Sequence, residues 1–396
     1  MNDTKPFGVE TTLSDVCTNI TYGYTASATS ENTGVKFLRI TDIVPSRIDW
    51  ESVPFCKISP SDLDKYQIRE GDIVIARTGA TTGYNKTIKQ LPYPAVYASY
   101  LIKYDLDRLK ADSAFVGYVL QSSNWYEYVD AIAGGSAQPG ANAKQLGSYP
   151  FILPPLPEQK AIASVLSSLD DKIDLLHRQN KTLEAMAETL FRQWFIEEAK
   201  EDWEDGVLGD IASNVRVNAT TESIESDEIY IGLEHIERRN VALSQHGFGS
   251  DVASNKSRFK KHDILFGKLR PYFHKVCITP FDGICSTDIL VLRAKETVWT
   301  AFTLFAFFQD SVVEYANLAS GGTRMPRADW GALSQYSIAI PPIDLVHQFN
   351  DLVLPSIEKI HANLEQIQTL EKLRDTLLPK LMSGEVRVQY QTEEVA

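Results

Sequence analysis

Two long segments of the chain carry apolar residues at alternating steps of three and four positions. The first runs from Leu156 to Glu198, and the second repeats the alternation after Phe349. An average step of about 3.5 residues, sustained over several heptads, is typical of helices that pair as a left-handed coiled coil. The predicted seam consists of Ile162, Leu166, Leu169, Ile173, Leu176, Asn180, Leu183 and Leu190 in the first helix and Val353, Ile357, Ile360, Leu364 and Ile367 in the second.

Before each of these segments the pattern changes to short runs of β-branched and aromatic residues, such as VKFLRITDIV, GDIVIART and YPAVYASYLIKYDL. Gly, Pro, Asn and Asp separate the runs. Runs of this kind predict strands. A helical pattern follows each group, over residues 115–132 in the first half and 302–318 in the second. The combination predicts a mixed α+β fold.

The chain matches itself at one constant offset, which aligns Ala114-Phe115 with Ala301-Phe302 and Pro154-Pro155 with Pro341-Pro342. Upstream, the offset grows slightly at GDIVIARTG and again at FLRITDI, as expected if loops of unequal length separate shared strands. We predict a first globular domain at 1–155, a first long helix at 156–198, a second globular domain at 199–342, a second long helix at 343–383 and a flexible tail at 384–396.

The two long helices can supply each other's coiled-coil partner. Because the copies follow one another along one chain, antiparallel pairing would place the globular domains at opposite ends, related by a pseudo-twofold axis. The alternative is that each helix is an ordinary amphipathic helix on its own core. Two such helices at equivalent positions, each after Pro-Pro, favour the pair. Asn180 falls on the seam, where a buried amide favours one register.

The net charge of −13 opposes a nucleic-acid partner, because affinity for phosphate comes from clustered Lys and Arg. A local exception lies between Lys256 and Lys275, where seven basic residues accompany a single acidic one, Asp263. A solvated loop explains such a run equally well. Acidity elsewhere fits weak intrinsic DNA binding that relies on a partner for most phosphate contacts.

Motifs of enzymatic chemistry are missing from the sequence. It contains no GxxxxGK[ST], GxGxxG, HExxH or GxSxG motif and no [DN]PP[YFW] tetrapeptide. The four cysteines are far apart and read as reduced structural thiols. The loop at 77–83, RTGATTG, could cradle a phosphate, although a glycine loop after a strand is more often a turn. With no signal segment and no apolar stretch of spanning length, a cytoplasmic protein is expected.

The order of these features resembles the specificity subunits of type I restriction-modification systems. The resemblance covers essentially the whole chain, and it rests on Gly71-Asp72-Ile73, Gly134-Gly135-Ser136 and Pro154-Pro155-Leu156-Pro157-Glu158-Gln159. The second half departs from the last motif, with Ile343-Asp344-Leu345-Val346 where the first has Leu156-Pro157-Glu158-Gln159. Equal contact with partners through both helices therefore does not follow from the resemblance.

The resemblance implies a protein without a catalytic site. Two target-recognition domains would each read one half of an asymmetric, bipartite sequence in double-stranded DNA. The helices would set the gap between the halves and dock two methyltransferase subunits, and restriction subunits would join the full complex. S-adenosylmethionine, ATP and Mg would be bound by those partners only, so that this chain holds no cofactor and no metal.

Residues that read DNA must lie on loops, where Arg and Lys suit guanine and Asn suits adenine. Each candidate taken alone is also explained by a surface salt bridge. Because the loops differ between the copies, the two half-sites are expected to differ. The predicted DNA-binding residues are Arg77, Thr78, Tyr84, Asn85, Lys86 and Lys89 in the first half and Arg258, Lys260, Lys261, Lys268, Arg270, Tyr272, Arg324 and Arg327 in the second.

Two other classes of function stay open at this point. A modification enzyme acting alone would show methyl transfer by the purified chain. A stand-alone coiled-coil scaffold, or a DNA-binding module without restriction-modification partners, is consistent with the charge of −13. The scaffold would show no sequence-selective binding even with methyltransferase subunits added.

Overall fold

A computed structural model describes residues 7–45, 47–133, 139–320 and 325–389. The chain divides into two compact units. Unit 1 comprises Met1–Asp171 and Leu370–Ala396, and unit 2 comprises Lys172–Thr369. Each unit therefore contains one predicted globular domain together with parts of both long helices. The Gly134-Gly135-Ser136 motif lies outside the described residues.

Unit 1 is built around a four-stranded antiparallel sheet with the strand order β2-β7-β4-β5. Strand β1 pairs antiparallel with β8, and β3 pairs parallel with β6. The strands are β1 (Val9–Thr12), β2 (Cys17–Tyr22), β3 (Lys36–Leu38), β4 (Ile73–Ala76), β5 (Asn85–Thr87), β6 (Ala95–Tyr97), β7 (Leu101–Leu106) and β8 (Pro150–Leu153). The short helices are α1 (Ile40–Ile43), α2 (Pro60–Tyr66), α3 (Ser113–Val119), α4 (Ser123–Ala133) and α5 (Ala143–Gly147).

Unit 2 contains a four-stranded antiparallel sheet, β10-β18-β15-β16, a five-stranded sheet, β11-β14-β17-β12-β13, and the pair β19-β9. The strands are β9 (Glu204–Val207), β10 (Ala212–Asn214), β11 (Val217–Ala219), β12 (Ile229–Ile231), β13 (Gly247–Phe248), β14 (Lys256–Phe259), β15 (Ile264–Gly267), β16 (Val276–Ile278), β17 (Gly283–Cys285), β18 (Ile289–Ala294) and β19 (Ser337–Ile340). The short helices are α7 (Leu208–Ile211), α8 (Thr300–Phe308), α9 (Asp310–Leu318) and α10 (Trp330–Leu333).

The repeat seen in the sequence is present in the fold. The order β2-β7-β4-β5 corresponds to β10-β18-β15-β16, and the pair β1-β8 corresponds to β9-β19. The parallel pair β3-β6 recurs as β12-β17, to which unit 2 adds β11, β13 and β14. The α+β prediction is confirmed, and the extra strands show that unit 2 is the more elaborated copy.

The prediction of one continuous helix over residues 115–132, and of another over 302–318, was wrong. Each segment forms two helices, α3 and α4 in unit 1 and α8 and α9 in unit 2. The Ser122 hydroxyl donates to the carbonyl of Val119 at 2.7 Å and accepts from the N–H of Trp125 at 3.4 Å. In unit 2, Gln309 is extended, with φ −65° and ψ 139°. Polar residues stand at both breaks, at 121–124 and 309–311, and the apolar pattern resumes after each.

The long helices are α6 (Leu156–Arg192), which a π-helical turn at Gln193–Glu197 extends, and α11 (Ile343–Ser383). In unit 2, the rings of Phe191 and Phe349 lie 5.8 Å apart, and the Asn363 amide donates to Asn180 Oδ1 at 2.7 Å. In unit 1, residues early in α6 share a core with residues late in α11: Ile162, Leu166, Leu378 and Leu381. Residue numbers rise along one helix as they fall along the other, so the antiparallel pairing is confirmed.

Part of the predicted flexible tail is held against unit 1. The Arg387 guanidinium donates to Glu158 Oε2 at 2.8 Å and lies over the ring of Phe7, with 5.2 Å between its carbon and the ring centroid. The buried Glu158 carboxylate on α6 thus holds Arg387, which lies within the segment predicted as a flexible tail. Residues 390–396 of that segment lie outside the described residues.

Candidate nucleic-acid interface

In unit 1, the loop that follows strand β4 crosses the segment that precedes helix α5. The N–H of Gly79 donates to the carbonyl of Pro139 at 2.8 Å, and the N–H of Ala141 donates to the carbonyl of Arg77 at 3.0 Å. Gly79 and Gly83 have φ values of 76° and 87°, which glycine adopts without steric cost. These bonds fix the backbone from which the predicted DNA-binding side chains of this loop project.

Unit 2 contains the same crossing in the loop after strand β15. The N–H of Arg270 donates to the carbonyl of Pro326 at 2.8 Å, and the N–H of Ala328 donates to the carbonyl of Lys268 at 2.9 Å. Arg270 and His274, which stand where unit 1 has Gly79 and Gly83, keep left-handed φ values of 52° and 51°. A side chain in this region costs roughly 1–2 kcal/mol. The backbone of the crossing is thus duplicated, whereas its side chains are not.

Three of the predicted residues of unit 1 lie on the crossing loop itself. The Arg77 guanidinium lies over the ring of Tyr22, with 5.0 Å between its carbon and the ring centroid. Thr78 is exposed. Tyr84 is exposed and packs edge-on against Tyr126, with 6.0 Å between the ring centroids. Thr78 and Tyr84 are thus exposed on the loop, whereas Arg77 is half-buried.

The other three predicted residues of unit 1 are engaged by the protein. Asn85 is buried, and its amide donates to the carbonyl of Leu120. The Lys86 ammonium donates to the carbonyl of Pro45 at 2.7 Å, and burial lowers the pKa of Lys86. Lys89 Nζ lies 3.8 Å from a carboxylate oxygen of Asp171. The amide nitrogen of Asn85 in particular donates its hydrogen bonds within the protein.

Several predicted residues of unit 2 pair with carboxylates. Arg258 forms an ion pair with Glu228 and donates to the carbonyl of Ser223. Lys261 Nζ lies 3.8 Å from Glu358 Oε1, and Arg327 Nη1 lies 3.1 Å from Asp288 Oδ1. Lys260 is exposed at the end of strand β14. Arg258 and Lys261 are therefore accounted for by contacts within the unit.

The remaining predicted residues of unit 2 surround the crossing. Lys268 lines a cleft of about 320 Å³ together with Arg216, Asn218 and Thr287. Arg270 is half-buried, and Tyr272 is 52% exposed at the tip of the loop. Arg327 comes from the opposing strand of the crossing, where it bridges Leu269. Arg324 lies outside the described residues.

The sequence analysis missed Arg238, whose guanidinium carbon lies 3.9 Å from the ring centroid of Phe273 in the crossing loop. Arg238 is exposed and stands in the segment EHIERRN, just after the region that aligns with FLRITDI. The adjacent arginines Arg238 and Arg239 could have indicated a basic site in the sequence. They precede the basic run that begins at Lys256 and do not belong to it.

The predicted seam of the paired helices is buried to different degrees. Ile162, Leu166, Ile173, Leu176, Val353, Ile357, Ile360 and Ile367 are buried. Leu169, Asn180, Leu183, Leu190 and Leu364 are half-buried. The fully buried residue near Leu364 is its neighbour Asn363, whose amide donates to Gln179 Oε1 at 3.1 Å and to Asn180 Oδ1. The predicted polar position at Asn180 thus has an amide partner that the apolar pattern did not identify.

The Pro-Glu-Gln start of helix α6 is used inside unit 1. Glu158 and Gln159 are both fully buried. The Gln159 amide donates to the carbonyls of Lys110 and Pro154 at 3.0 and 2.8 Å, and its oxygen accepts from the N–H of Asp112 at 2.8 Å. The motif therefore joins the helix to the globular part of the unit.

The rest of the described chain offers few groups suited to chemistry. No cluster of three or more His, Cys, Asp or Glu side chains suited to a metal ion occurs among the described residues. Burial raises the pKa of Cys17 to about 12 and that of Cys285 to about 12, which disfavours a nucleophilic thiolate. In the described part of the chain, no helix has the length and apolarity needed to cross a lipid bilayer.

Residues 9–185 match the family described as type I restriction modification DNA specificity domain. The chain is 29% identical over 306 residues to the type I restriction enzyme MjaIX specificity subunit of Methanocaldococcus jannaschii, covering 70% of each chain. It is 28% identical over 405 residues to the putative MjaX specificity subunit of that organism, covering 95% of this chain and 93% of the relative. The fold resembles that of the type I restriction-modification S subunit from M. genitalium, with a TM-score of 0.65, 17% identity and 99% of each chain covered.

Proposed function

We propose that the chain is a specificity subunit of the type I restriction-modification family, as the domain match over residues 9–185 and the similar specificity subunits support, and that it reads an asymmetric, bipartite target in double-stranded DNA. In this proposal each unit reads one half of the target through its crossing loop. The paired helices set the distance between the halves. As a specificity subunit the chain is not catalytic.

The observation that carries the proposal is the duplicated crossing. Two pairs of backbone hydrogen bonds hold equivalent loops at 77–84 and 268–275 in the same way. The side chains on these loops differ throughout, RTGATTGY against KLRPYFHK. A constant backbone with variable side chains suits two readers of unlike sequences, because side chains at base edges determine specificity.

The net charge of −13 is consistent with a reader that shares phosphate contacts with other subunits. We propose that these are two methyltransferase subunits, joined in the full complex by restriction subunits, and that the complex works in the cytoplasm. S-adenosylmethionine, ATP and Mg would be bound by those partners rather than by this chain.

The proposal is tested by co-expressing the chain with its methyltransferase subunit and sequencing the methylated adenines. The expected result is methylation within one interrupted motif whose two halves differ. A palindromic motif would contradict the different roles of the two loops. The purified chain alone should transfer no methyl group, and a chain that did so would be the modification enzyme itself.

Exposed apolar residues on the long helices support docking of two partners. Met186 on α6 is 56% exposed and Leu373 on α11 is 45% exposed, and the two stand at equivalent positions of the repeat. Exposed apolar side chains at equivalent places suit two copies of one partner. Met186→Glu and Leu373→Glu should each remove one methyltransferase subunit from the complex, measured by native mass spectrometry. Retention of both subunits in both variants would place the docking elsewhere.

A further inference from the structure

Two arginines of unit 2 share one aromatic ring. The guanidinium carbons of Arg238 and Arg270 lie 3.9 and 6.0 Å from the ring centroid of Phe273. Within the described residues, neither arginine forms an ion pair with a carboxylate. Other arginines of the unit do form such pairs: Arg239, Arg258, Arg293 and Arg327. The charges of Arg238 and Arg270 are therefore available to a ligand that approaches the crossing.

The protein fixes the position of Arg238 through its neighbour. The N–H of Arg239 donates to the carbonyl of His274, at the end of the crossing loop, at 3.0 Å. Arg239 Nη2 and His274 Nδ1 both contact Asp310 Oδ1, at 2.8 and 3.1 Å. These contacts tie the segment that carries Arg238 to the loop that carries Arg270. A guanidinium held over a ring loses less freedom on binding and can still donate from its edge.

Unit 1 has no equivalent of this cluster. In the alignment of the two crossing loops, Gly79 corresponds to Arg270 and Thr82 corresponds to Phe273. In the alignment of FLRITDI with YIGLEHI, extended by two positions, Pro45 corresponds to Arg238. The arrangement is thus confined to the copy in which Arg270 occupies a left-handed backbone position. Arg270 keeps its side chain at a left-handed position where the other copy has glycine, at a cost of roughly 1–2 kcal/mol.

We propose that Arg238 and Arg270 read guanine in the half-site bound by unit 2, donating to the guanine O6 and N7 atoms at the major-groove edge. The inference rests on the proposed function. Guanine is the base that presents two adjacent acceptors in the major groove, whereas adenine presents one acceptor and one donor. Two donors on a guanidinium edge match the first pattern.

The test uses the full chain co-expressed with its methyltransferase subunit in a host without other adenine methylation. Methylated sites are sequenced for the unaltered chain, for Arg238→Lys and for Arg270→Lys. Lysine keeps the charge and loses the forked pair of donors. Both variants should relax the preference at a G·C pair in the same half of the target, by roughly 10- to 100-fold. The other half should keep its sequence.

Lys295→Ala is the matched control for a lost or altered surface charge in unit 2. Lys295 is exposed and follows the far end of β18, whose first residue, Ile289, pairs with Gly267 beside the crossing. Lys295→Ala should leave the motif unaltered. Because Arg238 is exposed, Arg238→Lys is not expected to disturb folding.

Three results would overturn the inference while leaving the proposed function intact. The first is a bipartite motif in which one half contains only A·T pairs, while neither arginine variant relaxes the sequence preference in either half. The second is an unchanged motif in both arginine variants. The third is a motif that keeps its sequence while Arg238→Ala lowers methylation evenly at all sites and reduces the salt dependence by about one unit, which identifies a phosphate contact. Failure of the unaltered complex to methylate any motif would instead contradict the proposed function.

Discussion

One contact between the globular part and the long helices is polar in unit 1 and apolar at the equivalent positions of unit 2. In unit 1, the Tyr118 hydroxyl donates to Asp170 Oδ2 at 2.6 Å, and Arg374 Nη1 lies 3.1 Å from Asp170 Oδ1. At the equivalent positions of the repeat, unit 2 has three apolar core residues: Phe305, Ile357 and Ala187.

The starts of the two long helices differ in the same sense. Unit 1 uses the buried Glu158, held by Arg387, and the buried Gln159. Unit 2 has Leu345 and Val346 at these positions. Close by, the ring of Phe349 lies 5.0 Å from that of Phe195 and 6.1 Å from that of Trp194, measured between centroids.

This difference shows that duplication preserved the places of contact more strictly than their chemistry. A buried polar group is tolerated where every partner is present, and an apolar group of similar volume can replace the whole set. The two units are therefore expected to respond differently to substitution and to pH.

The largest expected effect concerns the aromatic core of unit 2. Phe349 is fully buried, and Phe349→Ala should lower the free energy of unfolding by about 4 kcal/mol, because the removed ring leaves a cavity. Urea unfolding gives the size of the loss, and hydrogen exchange should place it in unit 2. Leu352→Ala, at a residue 54% exposed on the same helix, is the control and should change stability little. Equal losses from both variants would contradict the assigned core.

The next effect concerns the ion pair of unit 1. Arg387→Ala leaves the Glu158 carboxylate buried without its partner, which should cost about 3 kcal/mol in the stability of unit 1. The double substitution Glu158→Leu with Arg387→Met imitates the apolar solution of unit 2 and should recover most of that loss. Lys200→Ala, at the position equivalent to Arg387, is the control. Urea unfolding compares the unaltered chain, Arg387→Ala, the double variant and Lys200→Ala, and a double variant no more stable than Arg387→Ala would refute the prediction.

A smaller effect depends on pH. Burial, with His262 and Lys261 nearby, lowers the pKa of His361 to about 4. Between pH 6.5 and pH 4 the unfolded chain binds a proton that the folded chain does not, so stability falls as pH falls. From pH 7 to pH 5 the loss should be about 2 kcal/mol. His361→Leu should reduce the loss by that amount in urea unfolding at the two pH values.

The equivalent position in the first copy of the repeat, which also lies in unit 2, provides the control for the pH effect. Asp174 is the counterpart of His361 in the repeat, is partly exposed and lies 3.2 Å from the Arg178 guanidinium. Asp174→Asn should leave the loss between pH 7 and pH 5 unaltered. The same loss in His361→Leu as in the unaltered chain would show that other groups cause it.

The smallest effect concerns the backbone of the crossing. Arg270→Gly places in unit 2 the residue that unit 1 has, and it should raise the free energy of unfolding by up to about 1 kcal/mol by relieving the left-handed strain. Gly79→Ala introduces that strain in unit 1 and should lower stability by a similar amount. Thermal unfolding of both variants measures the difference. Changes of the same sign would contradict the equivalence of the two positions.

The features predicted from the sequence were those with a local or repeated signal. The helix starts at Leu156 and Ile343 follow Pro-Pro in both copies, and the strands correspond to runs such as GDIVIART. The burial of Asn363 between the helices was not predicted, because the seam was identified from apolar residues. Its amide donates to Asn180, and a contact between residues so distant in the sequence is seen only in the structure.

The sequence by itself determined that this protein has a doubled plan, because a constant offset between two copies and a heptad pattern can be read without knowledge of distant contacts. Only the tertiary structure decided which basic residues are paired with carboxylates inside the protein. Arg258 forms an ion pair with Glu228 and Arg327 forms one with Asp288, whereas Arg238 lies over the ring of Phe273. Charge pairing depends on positions in space, and the order of residues along the chain does not specify them.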